Sequence, residues 1–570
     1  MVYLWIAPPH IVFGDNAELS ALGALGGAAH PSGYPLYVLW LRAWSWLPAA
    51  SPAHAAAMAT AILAALQALV LHAACRSWGA RPLAATLAVG MFAAGPLALR
   101  IHSEAEVFAL NGLACAAVLW LAAGAGPLRG LARVAALGLV AGLGLSNHLT
   151  CVLVAPIGVL GVVRGSREAA RSIPTGLGVA LTGLGVGLLP YVYLLVTPGS
   201  WVSWGTIDDL GGLVRHFLRA DYGPIGQLSP RGVHVPVDES VLSLARSIGR
   251  TYLWLVPVVG IGALGYFAVV RDRVESRVAW SLLAVSWLLA GPILVSRFNI
   301  KPTGVSLHVV QRFYLLSLLV LAVPIAVGID RLVGDRFDRI PPRLRGSRVV
   351  RALLTTGGFL ALVAVSLPEL ARGHSPAIEQ GLVNMLRTLP PNAILIGATD
   401  ELHFGMGYLQ GALGERPDVA VIAPPQLGLA FYRDRVRERA GISIERPEGD
   451  DKLSVQVAER ALATGRPVFI DPYQANIATT FPTYPYGLVF RVLPRGTRPP
   501  PIEEVFAINQ ALYARYRFGY AFPGPDDQLA TQFHTHYART WTILAEALGR
   551  AGRRDDEAVA RQFAEALAPR

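Results

Sequence analysis

Residues 137–145 read LGLVAGLGL, and similar runs recur along the first two thirds of the chain, among them ALVLHAAC at 68–75 and LLTTGGFLALVAVSL at 353–367. A bilayer core takes about 20 such apolar residues per helix. Of the 570 residues, 53% are hydrophobic and only 15% are charged, which is too apolar for a soluble protein. The sequence therefore predicts a mainly α protein, a polytopic transmembrane helical bundle.

We place about eleven spans along the chain. The segment YPLYVLWLRAWSWLP at 34–48 is not among them, because it is short, rich in Tyr and Trp, and carries Arg42. Such a segment is typical of a juxtamembrane helix at headgroup level. The spans, the first of them partial, are 1–13, 53–75, 83–99, 106–123, 131–147, 149–163, 173–197, 251–270, 278–296, 312–330 and 350–368.

Arginines cluster in alternate loops, and the positive-inside rule assigns such loops to the cytoplasm. The opposite, non-cytoplasmic face then receives the outer loops 14–52 and 198–250 and the tail after residue 369. We expect the inner membrane of a bacterium, with the outer loops on the periplasmic side. The clusters are Arg76 and Arg81; Arg129 and Arg133; Arg164, Arg167 and Arg171; Arg271, Arg273 and Arg277; and a run from Arg331 to Arg351.

The formal net charge of +11 does not indicate nucleic acid as a partner, because no basic stripe with interleaved aromatic residues occurs. Cys75, Cys115 and Cys151 all lie in apolar segments without metal-ligand spacing. We interpret them as buried small hydrophobic residues. Neither a disulfide framework nor a metal site is predicted.

Residues 370–570 differ from the preceding part, because charges become frequent and no span-length apolar run occurs. We expect a soluble, extracytoplasmic α/β domain that ends in helices, after a transmembrane domain at 1–369. Acidic and histidine side chains at 400–403 could mark a site, but we interpret them as a helix start. Strands are predicted at 393–397, 418–422 and 467–470, and helices near 503–516 and 526–567.

Five motifs carry a resemblance to a known family. In chain order they are GDNAELSALGALGGAAHPSGYPLY at 14–37, HSEAEVFALN at 102–111, GLGLSNHLT at 142–150, SWGTIDDLGGLVRHFLRADYG at 203–223 and QRFYLLSLLVLA at 311–322. They resemble a family of polytopic membrane proteins, formerly of unknown function, whose animal member is a transmembrane protein O-mannosyltransferase. The resemblance implies a GT-C-like fold and a polyprenyl-phosphate-linked sugar as the donor substrate, with no certain cofactor.

Sugar transfer from a lipid phosphate to a hydroxyl requires a base for the hydroxyl and stabilisation of the departing phosphate. Asp15 follows the first apolar segment, and we predict it as the general base, with Glu18 three residues later on the same face of a helix. The alternative is that both residues form a helix capping box. The family has Asp-Ser-Gly-Glu where this chain has Asp-Asn-Ala-Glu, so both carboxylates are kept.

The remaining candidate residues would bind substrate. Arg312 in the QRFY motif is predicted to bind the phosphate, because guanidinium offers a forked hydrogen-bond donor. Glu104 and Glu106 could also be ordinary helix-start acids, and His148 could be a turn histidine bonded to Asn147. The other predicted substrate-binding residues are His30, Tyr34, His102, Trp204, Arg219 and Tyr222.

The leading functional hypothesis is an integral membrane glycosyltransferase that moves a sugar, mannose by the resemblance, to a protein or envelope-glycan hydroxyl on the non-cytoplasmic face. One alternative is a transporter or flippase for a lipid-linked saccharide, which should show internal repeats that we do not find. A second alternative is a non-catalytic envelope assembly protein.

Overall fold

The computed structural model of the chain describes residues 2–222, 235–270, 272, 274–339, 348–397, 399–445, 450–524 and 528–569. Arg271, Arg273 and residues 340–347 of the predicted arginine clusters lie outside this description. The N-terminal part is built from helices. They are α1 (Val2–Ile6), α2 (Asn16–Leu25), α3 (Pro35–Trp44), α4 (Pro52–Ser77), α5 (Pro82–Ala94), α6 (Pro96–Ile101), α7 (Phe108–Ala122), α8 (Gly130–Leu145), α9 (Ala155–Glu168), α10 (Ile173–Gly187), α11 (Val192–Val196), α12 (Leu210–Phe217), α13 (Val237–Thr251), α14 (Val256–Val269), α15 (Arg277–Leu288), α16 (Gly304–Gln311), α17 (Tyr314–Arg339) and α18 (Arg348–Gly373).

Apolar helical segments make this chain an integral membrane protein. Within the described residues, four segments are long and apolar enough to cross a bilayer, or five if α13 and α14 form one broken span. Helices α5, α7 and α8 and the segment Arg277–Ile293 are apolar but shorter. The expected number of about eleven spans is not established by these segments. The four long segments are Pro52–Ser77, Leu149–Glu168, Ile173–Val196 and Tyr314–Val333.

Two predicted spans, 83–99 and 1–13, do not form single continuous helices. The predicted span 83–99 is divided at Gly95, which is extended (ψ 145°) before Pro96 opens α6. Proline disfavours the helical conformation in the residue before it, so one continuous helix is excluded there. The predicted partial span 1–13 contains only the five-residue α1. The predicted juxtamembrane segment 34–48 forms α3.

A sharp bend lies between α13 and α14, whose axes differ by 109°. Leu253 and Trp254 hold positive φ angles of 57° and 60° at this bend. Because the left-handed region is unfavourable for such side chains, the helix cannot continue through them. The predicted span 251–270 therefore begins only at Val256, and α13 occupies the end of the predicted outer loop 198–250.

Helices α8 and α10 pack at close range through glycines. A Cβ atom on Gly138 or Gly142 of α8 would overlap the carbonyl oxygens of Ala180 and Leu184 in α10. In the reverse direction, a Cβ atom on Gly183 would lie 2.6 Å from the carbonyl oxygen of Ala135. Small residues spaced by four allow such approach between membrane helices, where tight van der Waals packing drives association. The LGLVAGLGL run is thus a packing surface as well as an apolar run.

The predicted arginine-rich loops meet at one end of the helices. Arg164 contacts Glu275 at 2.5 Å, Arg81 contacts Asp330 at 2.7 Å, and Arg331 contacts Asp272 at 3.0 Å. Arg133, whose side chain is fully buried, lies 3.0 Å from Glu168. Arg81 lies between α4 and α5, and Asp272 and Glu275 lie between α14 and α15, whereas Arg133, Arg164 and Arg331 lie in α8, α9 and α17. Their ion pairs join these elements at one surface, called here the arginine end.

The C-terminal part contains a five-stranded sheet with the order β2-β1-β3-β5-β4. Strands β1, β2 and β3 are parallel and lie at the three predicted positions, whereas β5 runs antiparallel to β3 and β4. The strands are β1 (Ile394–Ile396), β2 (Ala420–Ile422), β3 (Val468–Ile470), β4 (Thr483–Tyr486) and β5 (Val489–Val492). The helices are α19 (Ala377–Thr388), α20 (Asp400–Gly407), α21 (Ala430–Ala440), α22 (Asp450–Ala463), α23 (Ala475–Thr480), α24 (Ile502–Tyr513), α25 (Gln528–Arg550) and α26 (Arg554–Leu567).

This C-terminal part packs directly on α2. Ile11, Ala17 and Ala21 share one apolar cluster with Leu402 and Met406 of α20. Polar contacts add to this packing, because the Ile11 backbone N–H donates to Glu379 at 2.9 Å. Helix α2 is therefore enclosed between the membrane helices and the sheet-containing part, and its start lies at the boundary of the two.

Replacing Gly183 by alanine tests the glycine packing. The new methyl group must push α8 and α10 apart, so we expect Gly183→Ala to destabilise the protein by about 1–3 kcal/mol. Gly185 on the same helix provides the matched control, because a methyl group added there would have no neighbouring atom within 4 Å. Thermal unfolding in detergent measures both variants, and equal melting temperatures would contradict the proposed packing.

Candidate active site

Arg312 joins two carboxylates that are far apart in the sequence. Its Nη1 atom lies 2.7 Å from Oδ2 of Asp15 and 2.9 Å from Oε1 of Glu106. The side chain of Glu106 is buried, whereas that of Asp15 keeps 26% of its surface exposed. Three of the predicted site residues thus form one charged group, with Asp15 on its open side.

Local backbone structure explains how Asp15 reaches this position. Gly14 has a φ of 89°, and a Cβ atom there would lie 3.4 Å from Nη1 of Arg312. Asp15 occupies the N-cap position of α2, but its side chain makes no capping hydrogen bond. The carboxylate is bonded to Arg312 instead, so the capping-box alternative does not describe this helix start.

Glu18 forms a second buried pair with His30. Its Oε2 atom lies 2.5 Å from Nδ1 of His30, and its Oε1 accepts the backbone N–H of the same histidine at 2.8 Å. On the other side of the ring, Nε2 of His30 lies 2.9 Å from the hydroxyl of Tyr34. The segment between α2 and α3 is therefore anchored to α2 by one carboxylate.

Aromatic rings pack together beside the Glu18–His30 pair. Tyr34 stacks on His148 with ring centroids 5.8 Å apart and an interplanar angle of 7°. Phe108 and Phe313 contact the other surfaces of His148, at 5.2 and 5.9 Å. Nδ1 of His148 lies 2.7 Å from the hydroxyl of Thr150, so His148 does make a local turn bond. Its partner is not the expected Asn147, whose amide donates to the carbonyl of Val107 instead.

The charges around Asp15 and His30 shift their ionisation in opposite directions. Burial alone would raise the pKa of Asp15, but Arg312 and His30 outweigh burial and hold that pKa below its ordinary value. For His30, burial acts to lower the pKa, but the carboxylates of Glu18 and Asp15 raise it to about 8. Asp15 is therefore ionised and His30 protonated at neutral pH.

Glu106 differs from Asp15 although both contact Arg312. It lies two residues before α7 and its pKa is raised, first by burial and further by the charges of Asp15 and Glu104, with Arg312 offsetting part of the rise. Its Oε2 atom is buried and has no hydrogen-bond partner within the described part of the chain. Two carboxylates with opposed environments are a common arrangement where an acid and a base act together.

The predicted long outer loop contributes two further side chains. Arg219, at the end of α12 with a φ of 58°, acts electrostatically on Asp15, His30 and Tyr34. The Trp204 ring lies 6.3 Å from the His30 ring, and its Nε1–H donates to Asp221 at 3.0 Å. Both predicted residues therefore border the site.

Two predicted residues make no direct contact with the charged group of Arg312, Asp15 and Glu106, and a third cannot be placed. His102 is buried against Tyr3 and Phe92, and neither ring nitrogen has a hydrogen-bond partner among the residues described. Glu104 pairs with His374 at 3.3 Å, towards the start of the C-terminal part. The side chain of Tyr222 lies outside the described part of the chain.

The C-terminal part adds two residues that the sequence did not assign to the site. Helix α20 begins at Asp400, as the helix-start interpretation predicts, but the same helix borders the site. The Phe404 ring lies 6.2 Å from His30, and Asp400 interacts electrostatically with Asp15, His30 and Arg312. Among the described residues, no group of three or more His, Cys, Asp or Glu side chains is arranged to hold a metal ion.

Comparison with known proteins confirms the family resemblance. Residues 15–170 match a family model described as the protein O-mannosyl-transferase TMEM260 N-terminal domain. The chain is 27% identical over 450 residues to protein O-mannosyl-transferase TMEM260 of Mus musculus, which covers 76% of this chain and 62% of that protein. It is 22% identical over 366 residues to protein O-mannosyl-transferase tmem260 of Dictyostelium discoideum, covering 59% of this chain and 44% of that protein.

The chain spans less than two thirds of the length of both relatives. Its fold is similar to the crystal structure of ArnT from Cupriavidus metallidurans in the apo state, with a TM-score of 0.52 and 14% identity. That likeness covers 88% of this chain and 97% of ArnT, so it includes both parts of the molecule. It agrees with the GT-C fold that the motifs imply.

The raised pKa of His30 predicts a pH-dependent contribution to stability. From an ordinary pKa of 6.5 to about 8 in the folded protein, the contribution is about 2 kcal/mol. It is fully present below pH 6.5 and is lost as the pH rises through about 8. We expect the melting temperature of the wild type, relative to His30→Gln, to fall over this interval.

Thermal unfolding in detergent from pH 6 to pH 9 measures this difference. His54→Gln, a half-buried histidine at the start of α4, provides the control and should keep the wild-type profile. Parallel profiles for the wild type and His30→Gln would show that the Glu18–His30 pair does not stabilise the folded protein.

Proposed function

We propose that this chain is an integral membrane glycosyltransferase of the GT-C type that transfers mannose from a polyprenyl-phosphate-linked donor to a hydroxyl group. The names of the relatives and the fold likeness to ArnT support this activity. Those names also favour a protein hydroxyl as the acceptor over an envelope glycan. The observation that carries the proposal is the contact of Arg312 with Asp15 at 2.7 Å.

Asp15 and Arg312 each have one polar atom that their mutual contact does not use. Asp15 uses Oδ2 and Arg312 uses Nη1, and within the described residues no hydrogen bond engages Oδ1 of Asp15 or Nη2 of Arg312. An ionised carboxylate accepts a proton, and a guanidinium donates to phosphate oxygens. The two groups that the reaction needs are therefore fixed side by side.

The reaction follows from these two groups. The acceptor oxygen forms a bond to the anomeric carbon of the sugar, and its proton passes to Oδ1 of Asp15. The bond between the anomeric carbon and the phosphate oxygen breaks, and its electron pair leaves with the lipid phosphate. Arg312 stabilises that developing charge, which is the kind of preorganised electrostatic contribution that dominates many enzymes. Arg219 and protonated His30 add positive charge nearby.

The remaining predicted residues have roles around this centre. Glu18 holds His30 in place, and Tyr34 and His148 form the floor on which the donor sugar would lie. Trp204 offers an aromatic face for the sugar at the rim. Glu106 orients Arg312 from the buried side.

We also propose that the site faces the non-cytoplasmic side. Helices α7, α8 and α17 each have one end near Glu106, His148 or Arg312 and the other at the arginine end. A helix the length of α7 spans roughly 20 Å, so the site and the arginine end lie on opposite surfaces of the bundle. The positive-inside rule supports a cytoplasmic arginine end.

Replacing Asp15 by asparagine removes the base and tests the activity. We expect Asp15→Asn to reduce mannosyl transfer by about 10²–10⁴-fold, because the acceptor proton has no carboxylate to receive it. The measurement uses purified protein in detergent, a synthetic mannosyl polyprenyl phosphate and a threonine-containing peptide. Asp208→Asn, an exposed aspartate in the outer loop, provides the control and should keep full activity. Full transfer by Asp15→Asn would remove Asp15 from the mechanism.

Cysteine labelling tests the orientation. The native cysteines Cys75, Cys115 and Cys151 are buried, so a membrane-impermeant maleimide should report introduced cysteines only. On intact cells we expect labelling of Asp208→Cys and no labelling of Arg129→Cys, whose position is exposed at the arginine end. The reverse pattern would overturn the proposed orientation.

A further inference from the structure

Asp400 lies next to the topological switch point of the C-terminal sheet. The chain leaves β1 for β2 on one side and returns to β3 on the other, so the strand order reverses beside β1. In open α/β sheets, ligands bind outside the carboxyl ends of the strands at such a switch point. Helix α20 begins at Asp400, four residues after the carboxyl end of β1 at Ile396.

The packing of α20 places the switch point of the sheet beside the candidate active site. Leu402 and Met406 are buried in the apolar cluster shared with α2, and the Phe404 ring lies 6.2 Å from His30. Asp400 precedes Phe404 by four residues, and residues four apart share one helix face. The carboxylate of Asp400 therefore lies on the face of α20 that borders His30.

The surroundings of Asp400 mix both charge signs. Its carboxyl group interacts electrostatically with Asp15, Glu18, His30 and Arg312. The side chain is exposed, and it makes no hydrogen bond or ion pair within the residues that the structure describes. It is thus an exposed carboxylate at the edge of the site, with no partner among the described residues.

The charge and hydrogen-bonding capacity of a carboxylate limit which substrate groups Asp400 can bind. The leaving group of the proposed reaction is a phosphate anion, and a second negative charge next to it would oppose its departure. An ionised carboxylate only accepts hydrogen bonds, so its natural partners are hydroxyl and backbone N–H groups. Hydroxyl groups occur on both the donor sugar and the acceptor, whereas backbone N–H groups belong to the acceptor polypeptide only. Asp400 lies on the C-terminal part, away from the membrane helices that carry the phosphate-binding Arg312, and this position favours the acceptor.

We infer that Asp400 binds the acceptor polypeptide, accepting a hydrogen bond from a hydroxyl or backbone N–H beside the hydroxyl that is glycosylated. This inference rests on the proposed function and assigns the acceptor side of the same site to the C-terminal part. The acceptor segment would lie beside the start of α20, with the switch point of the sheet on one side and Asp15 on the other.

The test separates acceptor binding from donor chemistry. We expect Asp400→Asn to raise the KM for a threonine-containing peptide about tenfold, because a hydrogen bond to a charged group is lost, with the KM for mannosyl polyprenyl phosphate unchanged. Hydrolysis of that donor without peptide should also be unchanged. Asp400→Glu should recover most of the peptide affinity, which distinguishes a lost hydrogen bond from a folding defect.

Glu459→Gln provides the matched control, because Glu459 is an acid of the same part of the chain that pairs with Arg495 at 2.7 Å. A peptide KM of Asp400→Asn equal to that of this control would overturn the inference and leave the proposed function standing. A parallel loss of donor hydrolysis would also overturn it, since Asp400 would then act on the donor. If the wild type transferred no mannose at all, the proposed function and the inference would both fail.

Discussion

The site depends on the pairing of one guanidinium with two carboxylates at the boundary of the membrane bundle. A buried arginine without a partner would be strongly destabilising, and the desolvation of each carboxylate is also unfavourable. Arg312, Asp15 and Glu106 offset one another through contacts of 2.7 and 2.9 Å. Since the three residues precede α17, α2 and α7 respectively, their pairing fixes the starts of three helices relative to each other.

The same pairing makes the two carboxylates chemically different. Asp15 keeps part of its side chain exposed and has a lowered pKa, whereas Glu106 is enclosed and has a raised one. The difference comes from position alone, because both contact the same nitrogen atom. The group thus holds an ionised carboxylate at its exposed side while Arg312 stays in contact with both acids.

Much of this arrangement follows from the sequence, and the remainder does not for identifiable reasons. Apolar runs indicate membrane helices because their length must match the bilayer, and the motif residues Asp15, Glu106 and Arg312 do meet. The break before Pro96 is a local effect that an apolar count overlooks. The partnership of Glu18 with His30 requires the chain to reverse through Gly26 and Gly27, both at positive φ, which no spacing rule supplies.

Asp400 shows most clearly what local sequence patterns cannot predict. Its local pattern is that of a helix-start acid, and the structure contains that helix start. The same pattern would occur whatever lay opposite, so only the packing of α20 on α2 reveals its neighbours. Residues about 390 positions apart, such as Ile11 and Leu402, join one apolar cluster whose members have no distinguishing local sequence.

That long separation has a consequence for biosynthesis. Ile11, Ala17 and Ala21 near the N-terminus are covered by residues such as Leu402 and Met406, which leave the ribosome several hundred residues later. Domains generally fold in the order of their synthesis, and contacts of high sequence separation form last. The nascent chain must therefore remain in the membrane with α2 uncovered, and a product truncated before the C-terminal part would contain Asp15 but lack the residues that pack over its helix.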